Sequence, residues 1–426
     1  MRNKVVIFVH PWMWASSMFA DVRARDLGIL SIVTGGEGTR IDPPWLAEHS
    51  DYVLDCAGVD QEVERVREFL TMHGLEPVAV INGLDSSLSF ADALQVELLG
   101  HSLDLRRSQV RLNKFEVNET LRTAQVPHVR SSRIRSVEDL SRVREEVRRF
   151  GIPFVAKPAA DTAGMAGFEI LNSAEELDDY VERYLGRANS YYPDRLVSDI
   201  IVQPYISPGR FGEFTVDYVS TDGVHACIGI SENRKDDQGV FRSTVTYDTC
   251  SSIDFSRPKR YVEACLTALD VQWGFTHNEI FWDMEDEVLL VETNNRYAGQ
   301  PVSELYKRSY HGSALDSLLC RDDQFVRERT AQREGFCAAV YLYNVSTDHP
   351  DALDLGEAAP FATVVDFRGK NKPRIARDFA LRYDRAKHIG AILLLEGHDE
   401  RHVEELVEGM VSRDRQGLVF RAGTSV

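Results

Sequence analysis

The sequence predicts a multi-domain protein of mixed α/β and α+β class, and three observations carry that expectation. Residues 1 to about 110 alternate short apolar runs with helical patterns, the βαβ layout of a parallel sheet. Phe275 to Gln300 reads as two strands joined by a tight acidic turn at Glu285-Asp286. From about Gly335 the composition shifts to short strands and then a terminal amphipathic helix, a small α+β module.

The 426 residues suffice for roughly two to four packed units with a sizeable core. Hydrophobic content of 43% and charged content of 27% are ordinary for a soluble globular protein. With 49 basic against 67 acidic residues the net charge is −18, which excludes a general nucleic-acid binder but leaves room for a local basic pocket. Cysteines at 56, 227, 250, 265, 320 and 337 show no CxxC spacing and read as buried thiols in a reducing compartment. The apolar run Val5 to Val9 ends at His10-Pro11, too short for a signal peptide. Nowhere is there an apolar stretch near ~20 residues, so the expectation is a cytoplasmic protein with no membrane partner.

In the first region the apolar runs are Val5 to Val9, Ile29 to Val33, Tyr52 to Leu54 and Val78 to Ile81. Between them Val63, Val66 and Leu70 share one helical face, as do Leu88, Ala91, Leu94 and Leu98. The GGEG at Gly35 to Gly38 lacks the full GxGxxG spacing and reads as a plain turn. Arg111 to Gln125 is helical in pattern, with Lys114 near its start; taken alone, such a lysine is a solvated surface charge.

Ser136 caps a charged helix that runs to Phe150, and Gly151 to Pro158 follows as a turn and strand carrying Lys157. The small-residue segment Ala159 to Gly167, with Gly164 inside it, could bring backbone N–H groups close to an anion and reads equally as a hairpin loop. Asn172 to Glu175 opens another helix with a capping-box spacing. Asp199 to Ile206 is a strand broken at Pro204, read as an edge strand whose free backbone groups could pair with a purine edge. Gly212 to Val219 is the next strand, Ser231 to Gly239 a polar loop, Arg260 to Leu269 a helix, and Pro301 to Leu319 a helix with proline in its first turn. Strands at Cys337 to Leu342, Ala362 to Asp366 and Ile392 to Leu395 precede a helix with Val403, Leu406, Val407 and Met410 on one face.

With its turn at Glu285-Asp286, the hairpin places Glu279 directly opposite Glu292. Two opposed carboxylates repel unless a divalent cation sits between them, and hard cations take carboxylate, amide and phosphate oxygens. Asn294 and Arg296 follow Glu292 at i+2 and i+4, on the same side of an extended segment. The flanking Ile280 and Val288 to Val291 mark a largely buried element, where unpaired acids are costly. The hairpin therefore reads as a metal and phosphate site.

Lys114, Lys157, a broken strand with Gln203, then Glu213, and finally VETNNR with Glu279 before it form a succession that resembles the ATP-grasp superfamily from the N-terminal unit to about residue 320. VETNNR is similar to the E-x-N-x-R end of that family's metal site. The resemblance implies an ATP-grasp fold with an N-terminal Rossmann-like pre-ATP-grasp domain at 1–110, a lid region at 111–206, a core with the metal site at 207–330 and a C-terminal α+β module at 331–426. It assigns Mg²⁺ (or Mn²⁺) to Glu279, Glu292 and Asn294, and the transferring phosphoryl group to Arg296. It makes Lys114 and Lys157 phosphate contacts, Ala159 to Gly167 with Gly164 the lid loop, Gln203, Tyr205 and Ile206 the adenine hinge, and Glu213 the ribose acid. Departures are the glycine-poor loop, Gln203 where many members carry an acid, and Asn113-Lys114 in place of Asp-Lys.

Within the superfamily the chain looks most like carboxylate-amine ligases of the L-amino-acid ligase (dipeptide synthetase) type. The basis is the length, Arg296-Tyr-Ala-Gly299 after the metal strand, and KHIGAILLLEG near the C-terminus. That likeness implies an ADP-forming enzyme that joins a carboxylate to an amine through an acyl phosphate. Arg296 and the backbone N–H of Gly299 would then be oxyanion donors, and a homodimer is an assembly found in the group. His277, on the face of Glu279, reads either as a substrate contact or as a satisfied core histidine. The alternatives are an ATP-grasp carboxylase or purine-pathway type with another acceptor, and a nucleotide-binding protein without catalysis.

Overall fold

A computed structural model describes all residues except 1–2, 12–14, 35–42, 57–61, 161–166, 190–194, 208, 237–239, 248–252, 311, 320–334, 344–349, 368–388 and 423–426. The four N-terminal apolar runs are strands β1 (Lys4–Val9), β2 (Gly28–Thr34), β3 (Tyr52–Cys56) and β4 (Glu76–Asn82), forming a parallel sheet in the order β3-β2-β1-β4. Val5, Ile7 and Val9 pack on Val66, Leu70, Phe90 and Leu94 on one face, while Val6 and Phe8 pack with Met18, Phe19 and Val22 on the other. Burial on both faces explains why β1 and β2 read as continuous apolar runs rather than alternating ones, whereas the edge strand β3 leaves Val53 and Asp55 exposed.

A second sheet, in the order β5-β8-β6-β7, comprises β5 (Ser132–Ile134), β6 (Phe154–Pro158), β7 (Glu169–Leu171) and β8 (Ile200–Pro204). Strand β8 is interior, paired to β5 through Ile200 to Val202 and to β6 through Ile200 to Pro204, so the edge-strand expectation is corrected. On the β5 side the pairing stops at Val202, so Gln203 and Pro204 pair with β6 alone before the chain leads to Tyr205 and Ile206. The helices Leu140–Phe150 and Ala174–Tyr184 cover this sheet with Val143, Val147, Leu177 and Tyr180. The second begins at Ser173, whose hydroxyl accepts from Glu176 N, one residue beyond the predicted spacing.

An eight-stranded antiparallel sheet holds β9 (Gly212–Thr221), β10 (Val224–Lys235), β11 (Phe241–Tyr247), β12 (Gly274–Trp282), β13 (Val288–Asn294), β14 (Phe336–Leu342), β16 (Ala362–Phe367) and β17 (Ala391–Gly397). Its order is β13-β12-β9-β10-β11-β14-β17-β16. Strands from the last hundred residues thus extend the sheet that carries the hairpin, through pairing of Ser243 to Val245 with Ala338 to Val340. A separate two-stranded sheet joins β15 (Pro350–Leu353) to β18 (Phe420–Ala422). The terminal helix Glu400–Gln416 covers β14 and β17 with Val403, Val407 and Met410.

Three local readings change. Ser231 to Lys235 is strand, because β10 runs on between β9 and β11; residues 237–239 of the expected loop lie outside the described residues. The helix expected over Arg111 to Gln125 is two, Leu105–Arg111 and Lys114–Thr123, divided where Asn113 turns extended and accepts from the N–H groups of Phe115 and Glu116. The helix expected over Pro301 to Leu319 is likewise two, Val302–Ser309 and Ala314–Leu319. Gly35 to Gly38 lie outside the described residues. Among the described residues four cysteines are buried free thiols, and no helix is long and apolar enough to cross a membrane.

Candidate nucleotide and metal site

The hairpin β12–β13 sets the site. Glu279 faces Glu292, Asn278 faces Thr293 and His277 faces Asn294, as the turn-centred register predicts. A bulge beside Glu279 shifts the outer half by one residue, so Ile280 pairs with Leu290 and Trp282 with Val288, and the expected two-residue turn at Glu285-Asp286 is instead a loop between Asp283 and Glu287. The shift keeps Ile280, Trp282, Val288 and Leu290 buried in the core beneath the sheet. The turn is ordered by Asp283, whose carboxylate accepts from the N–H groups of Glu285 and Glu287.

Lys114 and Lys157 converge on this pair. Lys114 N donates to Ala159 O at 2.8 Å, which ties the start of its helix to the end of β6. Asn113 Nδ2 and Arg133 both reach Asp199 and fasten the same corner, Arg133 Nε at 2.6 Å. The Lys114 ammonium then lies 3.0 Å from Glu292 Oε1. Burial, reinforced by the like charge of Lys114, lowers the Lys157 pKa to about 8. Burial and the charge of Glu292 raise Glu279 to about 7. Burial pushes Glu292 the same way, but Lys114 and Lys157 outweigh it and hold its carboxyl below the usual range.

This donor set fits a hard divalent cation: two facing carboxylates, one of them driven toward protonation by its partner, with the amide of Asn294 on the same strand. Among the described residues no cluster of three or more His, Cys, Asp or Glu groups could hold a metal by itself.

The remaining expected residues are distributed as follows. Glu213, on β9, sits beside Phe281 and Asn233 and forms an ion pair with Lys235. Its charge contributes to the elevation of Glu279, so it borders the same site. Arg234 is turned away to Glu232, Tyr247 and Glu404. The Gln203 side chain is buried and donates to Ser131 Oγ at 2.9 Å, so it braces the small sheet, while Tyr205 and Ile206 are half-buried just past β8. Gly164 lies outside the described residues. A Cβ built on Gly299 would lie 3.9 Å from Arg296 Nη1, so the loop Arg296 to Gly299 folds back on the guanidinium.

Two acids were missed. Asp217 is buried and accepts from His277 Nδ1 at 2.8 Å, raising the histidine's pKa against the opposing effect of burial. His277 Nε2 is 3.9 Å from Glu279 Oε1, so the histidine is oriented toward the carboxylate pair. Asp217 lies at i+4 from Glu213 on one strand, and period-2 alternation could have flagged it. Asp85, whose Oδ2 lies 3.3 Å from Arg296 Nε, comes from the N-terminal sheet and left no signal in the sequence.

Residues 150–304 match the ATP-grasp domain family. An uncharacterized protein, y4rH of Sinorhizobium fredii, is 27% identical over 199 residues, 46% of this chain, and the chain spans 39% of that relative's length. The L-amino acid ligase of Bacillus licheniformis superposes with a TM-score of 0.73 at 13% identity, covering 100% of both chains. Carboxyaminoimidazole ribonucleotide synthase of Aspergillus clavatus, solved with ATP, gives 0.67 at 13% identity over 98% of this chain and 100% of that one. The chain therefore carries an ATP-grasp domain, and its fold is the ATP-grasp fold.

Proposed function

We propose that this protein is an ATP-dependent ligase that forms an amide bond between the carboxylate of an amino acid and an amine, releasing ADP and phosphate. The observation that carries the reading is the convergence of Lys114, Lys157, Glu279, Glu292 and Arg296 around one face of the β12–β13 hairpin. Phosphoryl transfer needs positioning and cations more than covalent help from the protein. Lys114 and Lys157 bind and orient the phosphates. Glu279, Glu292 and Asn294 would hold Mg²⁺, which when bound neutralises phosphate oxygens. Arg296, with Gly299 N–H beside it, stabilises charge on the transferring phosphoryl group and on the oxyanion formed when the amine attacks the acyl phosphate. Glu213, Gln203, Tyr205 and Ile206 border the nucleoside end. Full-length similarity to the L-amino acid ligase favours an amino-acid carboxylate.

A screen of amino acids, singly and in pairs, with ATP and Mg²⁺ is expected to release phosphate only when carboxylate and amine are both present, with a dehydrated product by mass. AMP and pyrophosphate as products would exclude the reading. Similarity to carboxyaminoimidazole ribonucleotide synthase supports a second reading, a carboxylase or purine-pathway type acceptor. Bicarbonate-stimulated turnover without amino acids would favour it.

Lys157 gives a pH signature. With its free-protein pKa near 8, the ammonium is lost as pH rises through that value, while bound phosphate favours the charged form. The Lys157 contribution to nucleotide affinity is therefore expected to weaken as pH rises through about 8. In Lys157→Met that dependence should flatten, as read by fluorescent-nucleotide titration; an unchanged pH profile would remove Lys157 from the phosphate contacts.

A further inference from the structure

Arg296 is held by residues that lie outside the matched ATP-grasp domain. Strand β4 ends at Asn82, and its chain turns through Gly83 into the short helical turn Asp85–Ser87. A Cβ on Gly83 would meet His10 O at 2.2 Å, so only glycine lets the ends of β1 and β4 approach this closely. The turn meets the segment that follows β13. Asn82 Nδ2 donates to Asn295 O at 2.8 Å, and Ser87 Oγ in turn donates to Asn82 Oδ1 at 2.7 Å. Asp85 divides its carboxylate: Oδ1 accepts from Asn295 N at 2.7 Å, and Oδ2 faces Arg296 Nε at 3.3 Å. The carboxyl end of the parallel sheet thus fixes both the backbone before the arginine and the near edge of its guanidinium. Of the outer nitrogens, Nη1 faces the loop that ends at Gly299 and donates to Tyr297 O at 3.1 Å.

We propose that Asp85 is a positioning residue for Arg296, so that the N-terminal α/β unit is part of the phosphoryl-transfer apparatus. A free arginine side chain carries much rotamer entropy, and a guanidinium pre-set by one carboxylate loses less on gripping a phosphate. The inference rests on the reading of Arg296 as the γ-phosphate cation, and the two are separable by experiment.

The test compares binding of ADP and of adenylyl imidodiphosphate, each with Mg²⁺, to the full-length wild type and to the Arg296→Ala, Asp85→Ala, Asp85→Asn and Asp85→Glu variants, with melting temperatures recorded. The wild type should prefer the triphosphate analogue, and Arg296→Ala should lose that preference. Asp85→Ala should reduce it by about five- to tenfold with ADP affinity unchanged, as for the loss of a charge-assisted phosphate contact. Asp85→Asn, which keeps the acceptor for Asn295 N, should fall between, and Asp85→Glu should restore part of the preference. If Arg296→Ala loses the preference and Asp85→Ala keeps it, the positioning role is wrong while the reading of Arg296 stands. If Arg296→Ala keeps the preference, the reading of Arg296 fails and takes the inference with it. Equal losses for both nucleotides in the Asp85 variants would make Asp85 merely structural and overturn the proposal.

Discussion

Glu292→Gln is expected to lower ATP turnover by about three orders of magnitude, the scale seen when preorganised charge is removed from a reacting centre. The substitution takes away the carboxylate that faces Glu279 and the partner of Lys114 at 3.0 Å, while changing side-chain volume very little. Phosphate release under the substrate pair found by screening measures the loss, and wild-type turnover would show that this hairpin is not the catalytic centre. A stability signature accompanies it. Burial and the charge of Glu292 raise the Glu279 carboxyl above its ordinary value near 4.5, so folding favours its neutral form. Its contribution to stability is full below about pH 4.5 and is lost as pH rises through the raised value. With Glu292 neutral, the like-charge part of that elevation disappears and the decline should be shallower. Thermal melting at pH 5 and pH 8, without divalent cations, reads the difference.

Asp92→Ala is expected to cost about 3–5 kcal/mol of folding stability, because it strands a buried guanidinium. The Arg111 side chain is 4% exposed and pairs with Asp92 Oδ2 at 2.5 Å, Ser108 Oγ donates to the same oxygen at 2.7 Å, and Gln95 Nε2 reaches Oδ1 at 3.5 Å. Removing the acid leaves Arg111 with only a long contact to Asn295 Oδ1 at 3.5 Å. Adding Arg111→Leu should recover part of the loss, since an apolar pair needs no counter-ion, although alanine leaves the space of the lost carboxylate unfilled. Chemical denaturation of the three proteins tests this, and a single variant as stable as the wild type would refute it. Arg111 touches Asn295, next to Arg296, so the single variant should also lower turnover beyond what unfolding explains.

The central strands β1 and β2 of the parallel sheet were legible because both of their faces are buried and their residues form continuous apolar runs. The facing of Glu279 and Glu292 was expected from a turn at Glu285-Asp286, but the strands next to the turn pair one residue off that register, and the bulge beside Glu279 brings the two carboxylates back opposite each other. The bulge itself was not legible, since one extra residue in a continuous apolar run leaves its pattern intact. Ser231 to Lys235 looked like a loop because its residues are polar. Antiparallel pairing on both sides makes it strand, where its side chains meet Thr215, Glu213 and Glu404. Strand β8 looked like an edge because Pro204 lacks a donor, yet the proline sits at its very end and Ile200 to Val202 pair on both sides.

By itself the sequence determined the order of the chemical parts: two lysines, a broken strand, an acid, then Glu279 and the VETNNR strand. Local rules of periodicity, capping and turn geometry act over a few residues, and they suffice to place each of those groups on its element. Only the tertiary structure decided which groups meet. Lys114 reaches Glu292 because its helix start is bonded to Ala159, His277 is turned by Asp217, and Arg296 is gripped by Asp85. Those partners lie tens to hundreds of residues apart, and their contact is fixed by how three sheets pack, which no short-range pattern encodes.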